Sequence, residues 1–280
     1  MSRTRSFDDG QDRWTFTDAA PDPALAGAIG GYGWWSERTA TFDTRRELAG
    51  TDGTLIVNLA SDLELVDAAG SVRRLPAGGA FVAGLSQRTS LSRSTGAMEG
   101  IYLRAPLAML ARIAGTSVAE LTDRVVTIDD LPALRRLAPG ERLLEARDDE
   151  GRWRVLDDIV AARLSASAPQ PPALHRIAAG LSAGIAVETL AGELGWSRKR
   201  LARTFFDAFG LHPRTFAGLA RFERFAALLQ GDPHLSLAAI AIDAGYADQA
   251  HLTREVRRFA EVTPAALRRQ VIPAGGGVRD

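Results

Sequence analysis

The basic residues near the end of the chain are spaced so that they would share one face of a helix. Apolar side chains recur there at i, i+4 and i+7, which predicts a buried stripe made of Leu252, Val256 and Phe259. The opposite side carries small, polar and basic residues, which are Ala250, His251, Arg254, Arg257 and Arg258. Because guanidinium groups bind phosphates and base edges, this helix has the charge and the shape to enter a DNA major groove.

A turn with residues that end one helix and begin the next precedes this basic helix. Ala241 is followed four residues later by Gly245, which suits the positive-φ end of a helix, and Asp248 stands at the expected N-cap. A similar pattern occurs about 50 residues earlier, in Ala191, Gly195 and Ser197. The open face of that earlier copy would carry Arg198, Lys199, Arg200 and Arg203. The sequence therefore predicts two helix-turn-helix motifs.

The segment between the two motifs predicts one long helix. Pro213 suits the first helical position, and a helical pattern runs from Arg214 to Gln230. Such a helix would be about 25 Å long at about 1.5 Å per residue. With the widths of the motifs added, it would hold the two basic helices about 34 Å apart, which is one turn of DNA. One molecule would then reach two successive major grooves.

Several motifs of this region resemble the DNA-binding domain of AraC/XylS-family transcription regulators. The resemblance lies in the two Ala-x-x-x-Gly turns, in the run from Phe205 to Pro213, and in AGYADQAHLTREVRRFAEVTPAALRR. It implies seven helices, double-stranded DNA as the ligand and RNA polymerase as a partner. It also implies base contacts from the outward positions of both basic helices, which are Arg198, Lys199, Ala202, Arg203, Gln249, Ala250, His251 and Arg254. The two alanines depart from the longer polar residues of the family and offer only apolar contact, while Arg200 is expected to bind phosphate with its neighbours.

The first part of the chain alternates short β-like runs with turn residues, which predicts a small barrel or sandwich. The runs FVAGLSQRT and APLAMLARIAGTSVAELTDRVVTIDDL resemble the cupin-like sensor domain of one branch of the same family. Aromatic residues cluster early in this region, and Tyr32, Trp34 and Trp35 are the candidate effector-binding residues. The alternative is an ordinary aromatic core, since aromatic side chains dominate protein cores in any case.

Composition excludes several classes of function. The chain has no cysteine, and its four histidines all lie after residue 170, so the β-rich region lacks the ligands of a metal-dependent oxygenase. We expect no metal, no cofactor and no enzymatic activity. Without a signal sequence or an apolar run that spans a bilayer, a cytoplasmic, nucleoid-associated protein without membrane contact is expected. Lysine and arginine against aspartate and glutamate number 20 to 24 in residues 1–170 and 14 to 10 in residues 171–280, so the positive charge lies with the two motifs.

These observations predict an α+β protein with a β-rich, barrel-like N-terminal domain and an all-α C-terminal domain with two helix-turn-helix motifs joined by a long helix. The expected divisions are a flexible N-terminus at 1–12, a sensor or dimerisation domain at 13–164, a linker at 165–172, the DNA-binding domain at 173–271 and a flexible tail at 272–280. The predicted function is sequence-specific transcription regulation, controlled by a small effector or by homodimerisation. The alternative is an effector-independent regulator whose N-terminal domain only oligomerises.

Overall fold

The computed structural model describes residues 3–67, 70–168, 171–231, 235–272 and 277–280. Its N-terminal domain contains two antiparallel β-sheets. The strands are β1 (Arg3–Asp8), β2 (Arg13–Ala19), β3 (Gly31–Arg38), β4 (Thr44–Glu47), β5 (Asp52–Asn58), β6 (Leu63–Val66), β7 (Val72–Leu75), β8 (Ala80–Ala83), β9 (Ser90–Arg93), β10 (Ala97–Pro106) and β11 (Val125–Thr127). One sheet has the order β1-β2-β3-β10-β5-β8-β11 and the other has the order β4-β9-β6-β7.

The two sheets enclose a small apolar core of their own. Leu63, Leu65 and Leu75 on the four-stranded sheet pack with Phe81 and Met98 on the seven-stranded sheet. Because successive side chains of a strand point to opposite faces, each strand contributes alternate residues to this interior. The N-terminal domain is therefore the predicted barrel-like structure, with its interior between the sheets.

Helices cover the seven-stranded sheet and lead to the second domain. They are α1 (Leu107–Ala114), α2 (Val118–Leu121), α3 (Pro132–Arg135), α4 (Pro139–Glu145) and α5 (Asp149–Ser165). The helix α1 begins after Pro106 and ends at Gly115, which has a φ of 73°. The glycine suits the end of this helix because it adopts the left-handed conformation without strain.

The C-terminal domain is helical and contains both predicted motifs. Its described helices are α6 (Pro172–Ser182), α7 (Val187–Glu193), α8 (Arg198–Phe209), α9 (Pro213–Gly231), α10 (Leu237–Ala244), α11 (Gln249–Ala260) and α12 (Pro264–Gln270). A cluster of aromatic rings lies where α8 meets α9, and Phe205, Phe209 and Phe216 are within 6 Å of one another between ring centroids. The long helix α9 therefore forms the centre of the domain, with a helix-turn-helix unit on each side of it.

Both chain ends are more ordered than the sequence predicts. Residues 3–8 of the expected flexible segment 1–12 form β1, which pairs with β2 along its whole length, and Phe7 stacks on Trp14. At the expected flexible tail, β12 (Val271–Ile272) pairs with β13 (Gly277–Val278). The backbone of Arg279 also forms an isolated antiparallel β-bridge with the backbone of Arg45. The structure thus differs from the expected flexible ends at these residues, because each short strand pairs with its neighbour along the chain in a hairpin. Residues 1–2 and 273–276, and residues 169–170 of the expected linker, lie outside the described residues.

The two domains contact each other through α9, the end of α8 and the residue after α11. The Thr51 hydroxyl donates to the carboxylate of Glu223 on α9 over 2.6 Å. Thr89 donates to Glu261, the residue after α11, over 2.7 Å. The Thr122 hydroxyl donates to the carbonyl oxygen of Phe209, at the end of α8, over 3.0 Å. These contacts fix the DNA-binding domain against the barrel at three separate points.

Within the described parts of the chain, none of the helices has the length and apolar character that a bilayer span requires.

Candidate nucleic-acid interface

The helix α8 forms because its start and its buried face are both specified locally. The Ser197 side chain accepts a hydrogen bond from the backbone N–H of Arg200 over 3.2 Å, which satisfies one of the free donors at the helix start. One stripe of the helix is buried, and it consists of Leu201, Phe205 and Phe209. The helix ends at Gly210, which has a φ of 71°. These features orient the remaining side chains of α8 toward solvent.

The outward face of α8 carries the four predicted basic residues, and all of them are exposed: Arg198, Lys199, Arg200 and Arg203. Arg198 lies 3.2 Å from Glu188, and Arg203 lies 3.8 Å from Asp207. Because exposed ion pairs contribute little, both arginines are free to exchange these partners for phosphate. The Arg200 guanidinium lies 4.4 Å from the ring centroid of Trp196, which holds it at the base of the face. Ala202, which lies on the same helix between Arg200 and Arg203 in sequence, is half-buried.

The helix α11 repeats this arrangement. The Asp248 side chain accepts from the backbone N–H of His251 over 2.6 Å, as predicted for an N-cap. Its buried residues include the predicted stripe, Leu252, Val256 and Phe259. Its exposed residues include the predicted positions Gln249, Ala250, Arg254 and Arg258, together with Arg257. Both helices thus present a basic face away from an apolar stripe, which is the property that a groove-binding helix requires.

His251 differs from the other predicted positions because it turns toward the protein. Its ring packs edge-on against Tyr246 with 5.2 Å between centroids, and its Nε2 lies 3.5 Å from a carboxylate oxygen of Glu255. The side chain keeps 29% of its surface exposed. We therefore regard His251 as a residue that positions the start of α11 and retains one edge toward the solvent.

The arginines of the central helix α9 position the second motif. Arg221 makes two hydrogen bonds to the carboxylate of Glu255 on α11, over 2.9 and 3.1 Å. Arg224 donates to the carbonyl oxygens of Ser182 and Ala244, which are the last residues of α6 and α10. A cation at helix C-termini is favourable because the free carbonyls there carry partial negative charge. These side chains are occupied inside the protein and do not belong to the outward basic face.

The barrel contains a cavity of about 520 Å³ that reaches the DNA-binding domain. Its lining includes aromatic and aliphatic side chains from both sheets, such as Phe16, Trp35, Phe81, Met98 and Tyr102. Its lining also includes residues of α9 and β13, which are Glu223, Ala226, Ala227, Gln230, Gly277 and Val278. A molecule in this cavity would therefore contact both domains.

The structure separates the three predicted effector-binding aromatics. Trp35 lines the cavity, but Tyr32 and Trp34 lie on the opposite face of β3, because neighbouring side chains of a strand alternate. The Tyr32 hydroxyl donates to Asp157 of α5 over 2.8 Å, and this buried contact raises the pKa of the tyrosine. The indole Nε1 of Trp34 donates to Glu99 over 3.0 Å. Tyr32 thus joins the barrel to α5, and Trp34 is hydrogen-bonded to the neighbouring strand β10, so neither lines the cavity, whereas Trp35 does.

Several residues that connect the cavity to the DNA-binding domain were missed from the sequence. Glu223 is half-buried on α9 and contacts Thr51, and Arg46 donates to the carbonyl oxygen of Ala260 at the end of α11 over 3.2 Å. A signal for Glu223 does exist, because a carboxylate stands directly after Phe222 in a helix that is otherwise apolar on this side. Arg46 gave no signal, since its partner is more than two hundred residues away.

Comparisons with known proteins agree with this geometry. A family model described as "Helix-turn-helix domain" matches residues 190–270. No curated protein sequence matches the chain. Among solved structures, ToxT from Vibrio cholerae O395 has a TM-score of 0.52 at 12% identity, covering 96% of this chain and 98% of that chain. ToxT bound to (E)-4-(8-methylnaphthalen-1-yl)but-3-enoic acid has a TM-score of 0.53 at 15% identity, covering 85% and 98%. ToxT of strain SCE256 with bound unsaturated fatty acid has a TM-score of 0.52 at 13% identity, covering 98% and 99%.

The fold and the helix-turn-helix domain define a DNA-binding transcription regulator. Residues 190–270 are a helix-turn-helix domain of the AraC type, and the chain shares the overall fold of ToxT. The predicted resemblance of this domain and the predicted fold class are thereby confirmed.

Proposed function

We propose that this protein binds a specific DNA site through the outward faces of α8 and α11 and that a small molecule in the barrel cavity controls this binding. The observation that carries the first half is the matching exposed arginine on each of the two helices, Arg203 on α8 and Arg254 on α11. Arginine is the residue most often used to read guanine in the major groove.

The proposed contacts divide into two groups by position. Arg203, Arg254, Gln249 and the exposed Ala250 would face base edges, with His251 offering its free edge beside them. Arg198, Lys199, Arg200 and Arg258 would bind phosphates, which supplies affinity without sequence preference. The 19-residue helix α9 between the motifs is about 28 Å long at about 1.5 Å per residue. This length suits two motifs that enter successive grooves about 34 Å apart.

The proposal of a small effector is supported by the cavity and by the fold. The volume of about 520 Å³ lies within the range of about 300–1,000 Å³ that ligand pockets occupy. ToxT, which shares the fold, has been solved with bound small molecules. Because α9 forms part of the cavity wall, a bound molecule would act directly on the helix that carries both motifs.

The second candidate function is an effector-independent regulator whose N-terminal domain only oligomerises. The edge strand β1 favours it, because a sheet edge with free backbone groups is able to pair with another copy. RNA polymerase is the further partner that the regulator would contact at a promoter. Light scattering of the full chain across a range of protein concentrations would distinguish a homodimer from a monomer.

Genome-wide mapping of binding sites, followed by footprinting on a recovered fragment, tests the proposed function. We expect two protected segments on one face of the duplex, with their centres about 10 base pairs apart. A variant that carries Arg203→Ala and Arg254→Ala together should lose this footprint, while Arg74→Ala, an exposed arginine of the barrel, should keep it. Protection of a single short segment, or an unchanged footprint in the double variant, would contradict the proposed interface.

A further inference from the structure

The charged groups around the cavity do not balance. Two of the three arginines in its lining are paired, since Arg45 binds Glu37 and Arg46 binds Asp280. Arg104, the third, is exposed and lies 5.3 Å from the ring centroid of Tyr102. The Arg104 guanidinium also interacts with Asp52, where it opposes the rise in pKa that burial causes. Each of the three arginines of the lining thus already has a charged or aromatic neighbour.

Glu223 is the carboxylate at the α9 end of the cavity that has no cation beside it. Its described hydrogen bonds come from the Thr51 hydroxyl over 2.6 Å and the Thr51 backbone N–H over 3.3 Å. Among the described residues, no lysine, arginine or histidine lies within ion-pair distance of it. Asp52, the neighbouring carboxylate, also lines the cavity and repels the charge of Glu223, while Arg104 lies beside Asp52.

Two other carboxylates of the lining already have partners. Glu37 is paired with Arg45, and Glu47 accepts a hydrogen bond from the Ser92 hydroxyl over 2.6 Å. Burial raises the pKa of Glu223 despite the two hydrogen bonds from Thr51, and the nearby charge of Asp52 raises it further. The unmet requirement at this end of the cavity is therefore a cationic donor.

The remainder of the cavity suits an apolar body. Phe16, Trp35, Tyr102 and Met98 contribute to the wall, and aromatic faces also attract cations. From this arrangement we infer that the cavity binds a molecule with an apolar or aromatic body and a protonated amine, and that the amine binds the Glu223 carboxylate. The inference rests on the proposed function, of which it specifies the class of effector. A ligand bound in this way would contact the strands of the barrel and α9 at the same time.

Titration calorimetry on the full chain tests the inference with three probes that share one body and differ in the end group. Tryptamine carries the amine, tryptophol the alcohol and indolepropionate the carboxylate. We expect tryptamine to bind most tightly, by about tenfold or more over tryptophol, because a hydrogen bond to a charged group contributes about 1.5–3 kcal/mol. Equal binding of the amine and the alcohol, undetectable binding of the amine, or tighter binding of the carboxylate would each overturn the inference.

Variants of the cavity carboxylates assign the preference to one residue. Glu223→Gln should remove the preference for tryptamine and leave tryptophol binding unchanged, while Glu47→Gln should keep the preference. Glu223→Asp retains the charge on a shorter side chain and should keep part of the preference, which separates loss of charge from loss of folding. Retention of the full preference in Glu223→Gln overturns the assignment.

DNA binding of the unliganded wild-type chain is measured separately by footprinting. DNA binding without an amine preference contradicts only the ligand class, whereas absence of DNA binding contradicts the proposed function itself.

Discussion

Arg203 and Arg254 show how much a single side chain is expected to contribute to the interface. Both are exposed at equivalent positions of the two motifs, and Arg203 contacts only an exposed aspartate. We expect either Arg203→Ala or Arg254→Ala to cost about 1–3 kcal/mol of binding to a specific site, with relaxed preference at the base that the arginine reads. Gel shifts on matched and singly mutated sites measure both effects. Arg74→Ala is the matched control, and equal weakening on every DNA sequence would reassign the residue to phosphate contact.

The contribution of Glu223 to folding stability is expected to depend on pH. Because burial raises its pKa in the folded protein above the ordinary glutamate value of 4.5, the folded state holds its proton more strongly than the unfolded state does. Its contribution to stability is then fully present below the ordinary pKa and is lost as the pH rises through the raised pKa. Asp52, whose pKa is raised by burial as well, faces it and acts in the same direction.

Glu223→Gln should therefore gain stability relative to the wild type as the pH rises. The measurement is thermal unfolding of both proteins from about pH 5 to about pH 8, because the difference between them removes the contribution of titrating groups that do not interact with Glu223. A difference in melting temperature that stays constant over this range would show that Glu223 keeps its ordinary pKa.

At the scale of elements, the two motifs were predictable because their signals are local. Ser197 and Asp248 lie within a turn of the groups that they cap, and Gly195 and Gly245 end helices at φ values of 64° and 91°. The terminal strands and the members of the cavity were not predictable in this way. The terminal strands are short and polar or only two residues long, so they carry little apolar alternation, and the side of a strand that a residue occupies depends on register, which is why Trp35 enters the cavity and Trp34 does not.

The turn glycine of the second motif is expected to be essential for its geometry. Gly245 has a φ of 91°, so Gly245→Ala should destabilise the domain by about 1–2 kcal/mol, since an L-residue is strained in this region. Gly192 provides the matched control, because it lies inside α7 with open space where a Cβ would be. Gly192→Ala should stabilise by about 0.5–1 kcal/mol. Chemical denaturation of the three proteins compares them, and a loss of similar size in both variants would refute the role of the turn.

At the scale of the whole molecule, the barrel holds the second motif more directly than the first. Thr89 donates to Glu261, and Arg46 donates to the Ala260 carbonyl oxygen, at the C-terminal end of α11. Arg88 lies 3.6 Å from the same glutamate. Since Glu261 has a φ of 63°, these contacts also maintain a left-handed conformation that costs free energy. The C-terminal end of α11 is therefore fixed by the N-terminal domain.

Removal of the contacts of Glu261 should increase local unfolding at the C-terminal end of α11. Glu261→Ala deletes the acceptor of Thr89 and the partner of Arg88, so the C-terminal half of α11 should open locally more often. Hydrogen exchange of the full chain should become faster at Val256, Phe259 and Ala260 and stay unchanged along α8, which serves as the internal control. Glu64→Ala, which removes an exposed ion pair with Arg74 in the barrel, should leave both helices unchanged. Equal acceleration of α8 and α11 would indicate general destabilisation, and unchanged exchange in α11 would show that the barrel does not restrain this helix.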